Sequence, residues 1–214
     1  PVFYRQPWLE HELEPPIEEA LSVAYGGLDS YGFHALEFCQ ALAEQRRGGE
    51  TGIRAVQMLT GKAVWEAFEK KLFDVELFDQ AWKRLIMKQA PRDKLAERVP
   101  APLLFRLEYV DGLRVNLLEL NGAAAEWSGA WRYADDSTQS SLFWTQEGRP
   151  GMHFTWLLNG IEEMILTGKP AWNAERTLFT SGALDALLIS RKENQRLVKT
   201  PYLERKYQPT WRWI

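Results

Sequence analysis

Residues 103–120 read Leu-Leu-Phe-Arg-Leu-Glu-Tyr-Val-Asp-Gly-Leu-Arg-Val-Asn-Leu-Leu-Glu-Leu, and this stretch decides the fold class. Leu103, Phe105, Leu107 and Tyr109 alternate on one side, and Leu113, Val115 and Leu117 alternate after them. A period of two is that of a strand with one apolar face. Only Asp111-Gly112 separates the two runs. Asp-Gly tolerates the positive φ angles of a two-residue type I′ turn, so the stretch reads as a β-hairpin. The alternation then breaks: Leu118 and Leu120 fall opposite Leu117, and Glu119 falls on the same side as Leu117. A bulge near Leu117-Leu118, or burial of both faces there, accounts for the break.

Working outward, Asn121-Gly122 repeats the turn chemistry and leads into a third strand around Ala125 to Tyr133. Asp135-Asp136-Ser137 is another turn, and Ser141 to Thr145 a fourth strand, which completes an antiparallel meander. Upstream, Val2 to Arg5 reads as a short strand, and Ile17 to Tyr25 and Gly52 to Thr60 read as strands that extend the meander. Between them Phe33, Leu36, Cys39, Leu42 and Ala43 recur at helical spacing over Tyr31 to Arg47. Asp29 or Ser30 can cap that helix, and Arg46 and Arg47 suit its C-terminus. Two short helices are expected near 62–71 and 75–88. Phe154, Leu157, Leu158, Ile161 and Ile165 mark an amphipathic helix that Gly168-Lys169-Pro170 ends, and Asn173 can cap a last one. The expected class is α+β: a single domain over residues 1–214, with a largely antiparallel open sheet and helices gathered on one face.

Composition bounds the function. The chain has 214 residues, 45% of them hydrophobic and 26% charged, with a net charge of −3, which suits a folded globular domain and argues against a nucleic-acid or anionic-membrane footprint. No apolar run approaches the ~18 residues of a membrane span. The opening residues lack a basic segment followed by an apolar one, so no secretory signal is expected. The single cysteine, Cys39, cannot form an internal disulfide, which favours a reducing, cytoplasmic setting. Ten tryptophans call for a large core together with a subunit or domain interface.

Chemistry has few places to reside. The histidines are His11, His34 and His153. His34 follows a strand at the start of a helix, where the helix field favours a neutral imidazole able to take a proton. Asp29 or Ser30 could orient it or bind a hydroxyl; the plainer alternative is a core histidine behind two capping residues. His34 and Glu37 share one helical face, which leaves a metal site open if His11 or His153 joins them. Cys39 sits on an apolar helix face and Ser181-Gly182 lacks an elbow motif, so no nucleophile stands out. Pro1, followed by Val-Phe-Tyr, allows an N-terminal amine base of the tautomerase kind.

Gly26-Gly-Leu-Asp29 followed by Gly32-x-His34-Ala-Leu36 resembles the segment opening the C-terminal domain helix of the glucose–fructose oxidoreductase and inositol dehydrogenase (Gfo/Idh/MocA) family. Arg106 to Leu113 is similar to that family's strand–turn–strand, Trp156 to Pro170 to its penultimate helix and following loop, and Asn173 to Leu188 to its last helix. Phe33-His-Ala-Leu-Glu37, Arg47-Gly-Gly-Glu-Thr-Gly-Ile53, Thr167-Gly-Lys-Pro170 and Glu175-Arg-Thr-Leu178 look like one subgroup of it. The resemblance covers nearly the whole chain. It implies the substrate-binding and oligomerisation half of an NAD(P)-dependent oxidoreductase acting on a sugar, polyol or related hydroxylated small molecule. It makes His34 the catalytic proton-transfer residue, with Asp29, Ser30 and Tyr31 within reach of the same ligand and Trp8 or another aromatic as a stacking wall. It also implies a homo-oligomer paired through an open sheet face, with some of Trp127, Trp131 and Trp144 at the contact. The chain has no G-x-G-x-x-G on a strand–helix turn, so the nucleotide-binding domain is expected to be missing or separate, and NAD(P) is not expected to be held by this chain alone. The alternative is a binding or assembly module that kept the sheet without the chemistry.

Overall fold

Ile17–Ala24 is buried at seven of its eight positions, which is the pattern of a strand covered on both faces and not of an edge. The computed structural model describes residues 5–6, 16–143 and 154–210 of the chain. In chain order the elements are β1 (Arg5–Gln6), β2 (Ile17–Ala24), α1 (Leu28–Ala43), β3 (Ile53–Thr60), α2 (Lys62–Glu69), α3 (Val75–Arg84), α4 (Leu95–Arg98), β4 (Leu103–Tyr109), β5 (Arg114–Glu119), β6 (Trp127–Tyr133), β7 (Thr138–Phe143), α5 (Thr155–Thr167), α6 (Ala174–Lys192) and β8 (Val198–Lys199). One open sheet has the order β1-β7-β6-β2-β5-β4-β3-β8. Every neighbouring pair is antiparallel except β2–β5, which is parallel. The α+β class and the largely antiparallel open sheet are as expected.

The meander is not continuous. β2 does not extend it at an edge; it inserts between β5 and β6, pairing Ala24 with Glu119 on one side and Val23 with Ser128 on the other. Its nearly unbroken burial is the signal of that central place. The β4–β5 connection also differs from a two-residue type I′ turn. Register pairs Leu107 with Val115, and the Gly112 N–H donates to the Tyr109 carbonyl at 3.1 Å. Gly112 takes φ +96° while Asp111 keeps a negative φ, so three residues form the loop, the other common hairpin connection for this chemistry. Asp111 is engaged instead by Arg46, whose Nε donates to its carboxylate at 2.8 Å and ties the end of α1 to the hairpin.

Helices lie on both faces, not one. On the first, Leu36, Phe38, Cys39 and Leu42 of α1 and Phe179, Ala183 and Leu187 of α6 close over Val56, Phe105, Leu117 and Trp131. On the second, Val64 and Ala67 of α2 and Leu77, Phe78 and Ala81 of α3 close over Leu21, Val23, Leu104 and Leu118. This is why Leu118 and Glu119 are both buried where the alternation breaks. It also removes the open face expected for subunit pairing: Trp131 is 0% and Trp127 6% exposed, both in the chain's own core and not at a contact. Exposed apolar side chains lie elsewhere, among them Leu158, Ile165 and Leu166 of α5. Among the described residues no helix is long and apolar enough to cross a membrane.

Candidate functional site

β2 ends at Ala24, the half-buried Tyr25 follows it, Gly26 turns the chain at φ +97°, and α1 begins at Leu28. Neither Asp29 nor Ser30 caps the helix. Gly27 holds the N-cap position, and its carbonyl accepts the N–H groups of Ser30 at 3.0 Å and Tyr31 at 2.8 Å. Starting the helix that early puts both residues inside the first turn with their side chains exposed. There the Asp29 carboxylate complements the positive end of the helix.

His34 stands one turn further along α1 and is exposed, so the enclosed core histidine is excluded. Its imidazole stacks loosely on Trp127, ring centroids 6.4 Å apart, and meets Tyr31 and Phe33 edge-on at 6.2 and 5.8 Å. Trp127 is fixed from below by Phe38 at 4.0 Å and from the side by Tyr25 and Tyr31 at 5.5 and 5.8 Å. A cavity of about 360 Å³ opens beside this cluster, lined by Phe33, His34, Glu37, Phe38, Trp127, Leu157, Trp172, Arg176 and Thr177. Of the residues expected at the site, His34 lines it; Tyr31 touches its wall through Trp127; Asp29 and Ser30 lie on the first turn outside the lining. Trp8, His11, Trp144 and His153, like Pro1, fall outside the described residues.

The cavity joins apolar walls to two kinds of polar group. Among the described residues the indole N–H groups of Trp127 and Trp172 are buried without an acceptor, a costly state that a ligand oxygen would relieve. Arg176 is held rigid by Glu37, at 3.1 Å, and by the fully buried Glu44. Burial pushes the Cys39 thiol up to about 12, which leaves it a packed, unreactive group. No group of three or more metal-ligating side chains occurs among the described residues.

Sequence reading missed Trp172, Arg176 and Glu119. Trp172 and Arg176 come to the site from the far end of the chain, across α6, and no local pattern announces that. Glu119 had a signal in the broken alternation. It is 1% exposed, neither carboxylate oxygen has a partner among the described residues, and burial alone pushes its acid up to about 8.

No family model matches the chain, and no curated protein matches it. Solved structures do. The match to the crystal structure of GenD2 from gentamicin A biosynthesis in complex with NAD covers 87% of this chain and 56% of that one, at 12% identity and a TM-score of 0.56. Over that part the two chains share a fold. Two further matches are to aldose-aldose oxidoreductase from Caulobacter crescentus complexed with glycerol (12% identity, TM-score 0.42, 87% of this chain and 56% of that) and to myo-inositol 2-dehydrogenase from Lactobacillus plantarum (10% identity, TM-score 0.47, 86% and 57%). The chain thus spans a little over half the length of these structures.

Proposed function

We propose that this chain is the substrate half of an NAD(P)-dependent, Gfo/Idh/MocA-like oxidoreductase acting on a sugar, polyol or related hydroxylated compound. The observation that carries the reading is the exposed His34 on the wall of a cavity whose two indoles, Trp127 and Trp172, lack acceptors for their N–H groups among the described residues. Aromatic walls suit the apolar faces of a sugar ring, and unpaired donors suit its hydroxyl oxygens. In this reading His34 takes the proton of the hydroxyl being oxidised and returns it in the reverse direction. Trp127 and Trp172 orient the ring, while Asp29, Ser30 and Tyr31 meet hydroxyls that extend past the rim.

The described residues do not fit a dinucleotide. The Gly26-Gly27 turn into α1 lacks the third glycine and the following parallel strand of a phosphate-binding unit. The nicotinamide, which supplies the hydride acceptor, is assigned to a domain outside this chain.

The test is a titration of the chain with D-glucose and with myo-inositol, followed by NMR of the His34 imidazole and the tryptophan indole N–H groups. Saturable movement of His34, Trp127 and Trp172 together, lost in Trp127→Ala, is the expected result. Indole signals that stay still while the chain remains folded would overturn the assignment.

A further inference from the structure

Glu119 closes β5 on the face covered by α1. Its backbone lies between Ala24 of β2 and Leu103 of β4, so the end of the sheet that leads into α1 carries it. Gly32, in the second turn of α1, sits directly over the carboxyl: a Cβ built there would stand 3.9 Å from Glu119 Oε1, 2.9 Å from Leu28 Cδ1 and 3.4 Å from Leu184 Cδ1. The acid is therefore roofed by a bare helix backbone and two leucines. It has no hydrogen-bond partner on either oxygen among the described residues, and it is 1% exposed.

Among the described residues no opposing charge compensates it. On α1, Asp29 and His34 are exposed and Tyr31 is turned onto Trp127 and Tyr25. On α6, Asp185 beside Leu184 is exposed. Glu18 and Glu19 of β2, Arg106 and Glu108 of β4 and Arg114 of β5 lie away from this corner along their strands. Burial is the sole cause acting on the Glu119 proton, with none of these charges contributing. A carboxyl in such surroundings is tolerated as the neutral acid and is costly as the anion.

We propose that Glu119 is a proton-operated latch beneath the helix that carries His34: protonated, it lets the first two turns of α1 seat on the sheet, and ionised, it lifts them toward water. Leu28 and Gly32 form the moving lid of that latch, and the wall of the His34 cavity moves with them. The inference depends on the placement of Glu119 under α1 and not on the reaction proposed for the site.

The experiment is a carboxyl-carbon and amide NMR titration of the whole chain between about pH 5 and pH 10, a range that brackets the ordinary carboxylate value and the raised one. The expected result is a Glu119 side-chain midpoint near 8, with the amides of Leu28 and Gly32 moving at that same midpoint. In Glu119→Gln that amide step disappears while the fold persists. Leu28→Ala, which opens the roof to water, should lower the midpoint by at least about one unit, a tenfold change in proton affinity. A Glu119 midpoint in the ordinary carboxylate range, or a high midpoint with the α1 amides unmoved, would overturn the proposal. Should Glu119→Gln fail to fold, the wild-type titration and Leu28→Ala still decide it.

Discussion

The Tyr207 hydroxyl donates to the buried carboxylate of Glu44 at 2.6 Å, fastening the chain's last described stretch to the C-terminal cap of α1. Arg176 of α6 meets the same carboxylate, and Gln40 donates to the Tyr207 oxygen at 3.0 Å and to Glu50 at 2.6 Å. Three segments distant in sequence therefore share one buried polar knot. Tyr207→Phe removes one donor and leaves Glu44 still paired with Arg176, so a loss of about 1–2 kcal/mol is expected in urea unfolding. Arg176→Met strands the carboxylate without its cation and should cost about 3–5 kcal/mol. Adding Glu44→Gln to Arg176→Met should recover part of that loss, because the stranded charge is then gone.

The seat of Trp172 is Gly160, the one buried residue of α5. A Cβ there would fall 2.2 Å from the Trp172 ring. Gly160→Ala gains about 1 kcal/mol of helix propensity but must push the indole out of the cavity wall. Overpacking of this kind costs about 1–3 kcal/mol, so net destabilisation is expected. In a Trp172→Ala background the same substitution should turn neutral or stabilising, since the ring is no longer there to be displaced. A thermal-unfolding double-mutant cycle measures the difference.

Much of the architecture was legible because it is written in short-range chemistry. The Leu103–Leu120 hairpin, the turn at Asp135-Asp136 and the stop at Gly168 need only local periodicity and a residue that accepts positive φ; Asp136 and Gly168 do take φ +65° and +67°. Order within the sheet was not legible, because β2 reaches β5 across some ninety residues and strand pairing at that range leaves no local mark. Its continuous burial was the available clue, and it also announces a sheet covered on both faces. Caps were read with mixed success. Asp29 and Ser30 are competent N-caps, yet Gly27 starts α1, whereas Asn173 does hold the N-cap position of α6 while its side chain accepts from the Thr210 N–H at 3.0 Å. His34 could be placed on its helix from sequence, whereas Trp172 and Arg176 reach the same cavity only through the packing of α6 on α1.

Glu119 should shape the stability of the whole chain against pH. Its acid is raised in the fold, to about 8, relative to about 4.5 when the chain is unfolded. Below pH 4.5 both states hold the proton, and the stabilisation is fully present. Between 4.5 and 8 the unfolded chain releases the proton while the folded chain keeps it, so stability falls as pH rises, by up to about 1.4 kcal/mol per unit from this group alone. Above 8 both states are ionised and the slope vanishes. Glu119→Gln should flatten this part of the profile in urea unfolding; a wild-type profile that rises or stays level from pH 5 to pH 8 relative to the variant contradicts the assignment.

His34 offers the sharpest separation of folding from function. It is exposed and makes ring contacts only at 5.8–6.4 Å, so His34→Ala should change unfolding free energy by less than about 1 kcal/mol. A residue that transfers the proton of the reacting hydroxyl contributes about 10²–10⁴-fold to turnover. Under the proposed function, in an assembly that supplies a nucleotide-binding domain, His34→Ala should therefore lower kcat by that factor, with KM changed far less, because Trp127, Trp172 and Arg176 still shape the cavity. His34→Gln fills similar space and can donate a hydrogen bond but cannot take the proton, so it should be as slow as alanine. Trp127→Phe should behave in the opposite way, raising KM by removing the indole N–H and part of the wall while the proton-transfer step survives. Equal losses of kcat in His34→Ala and Trp127→Phe would instead mean that both residues act on the site through packing.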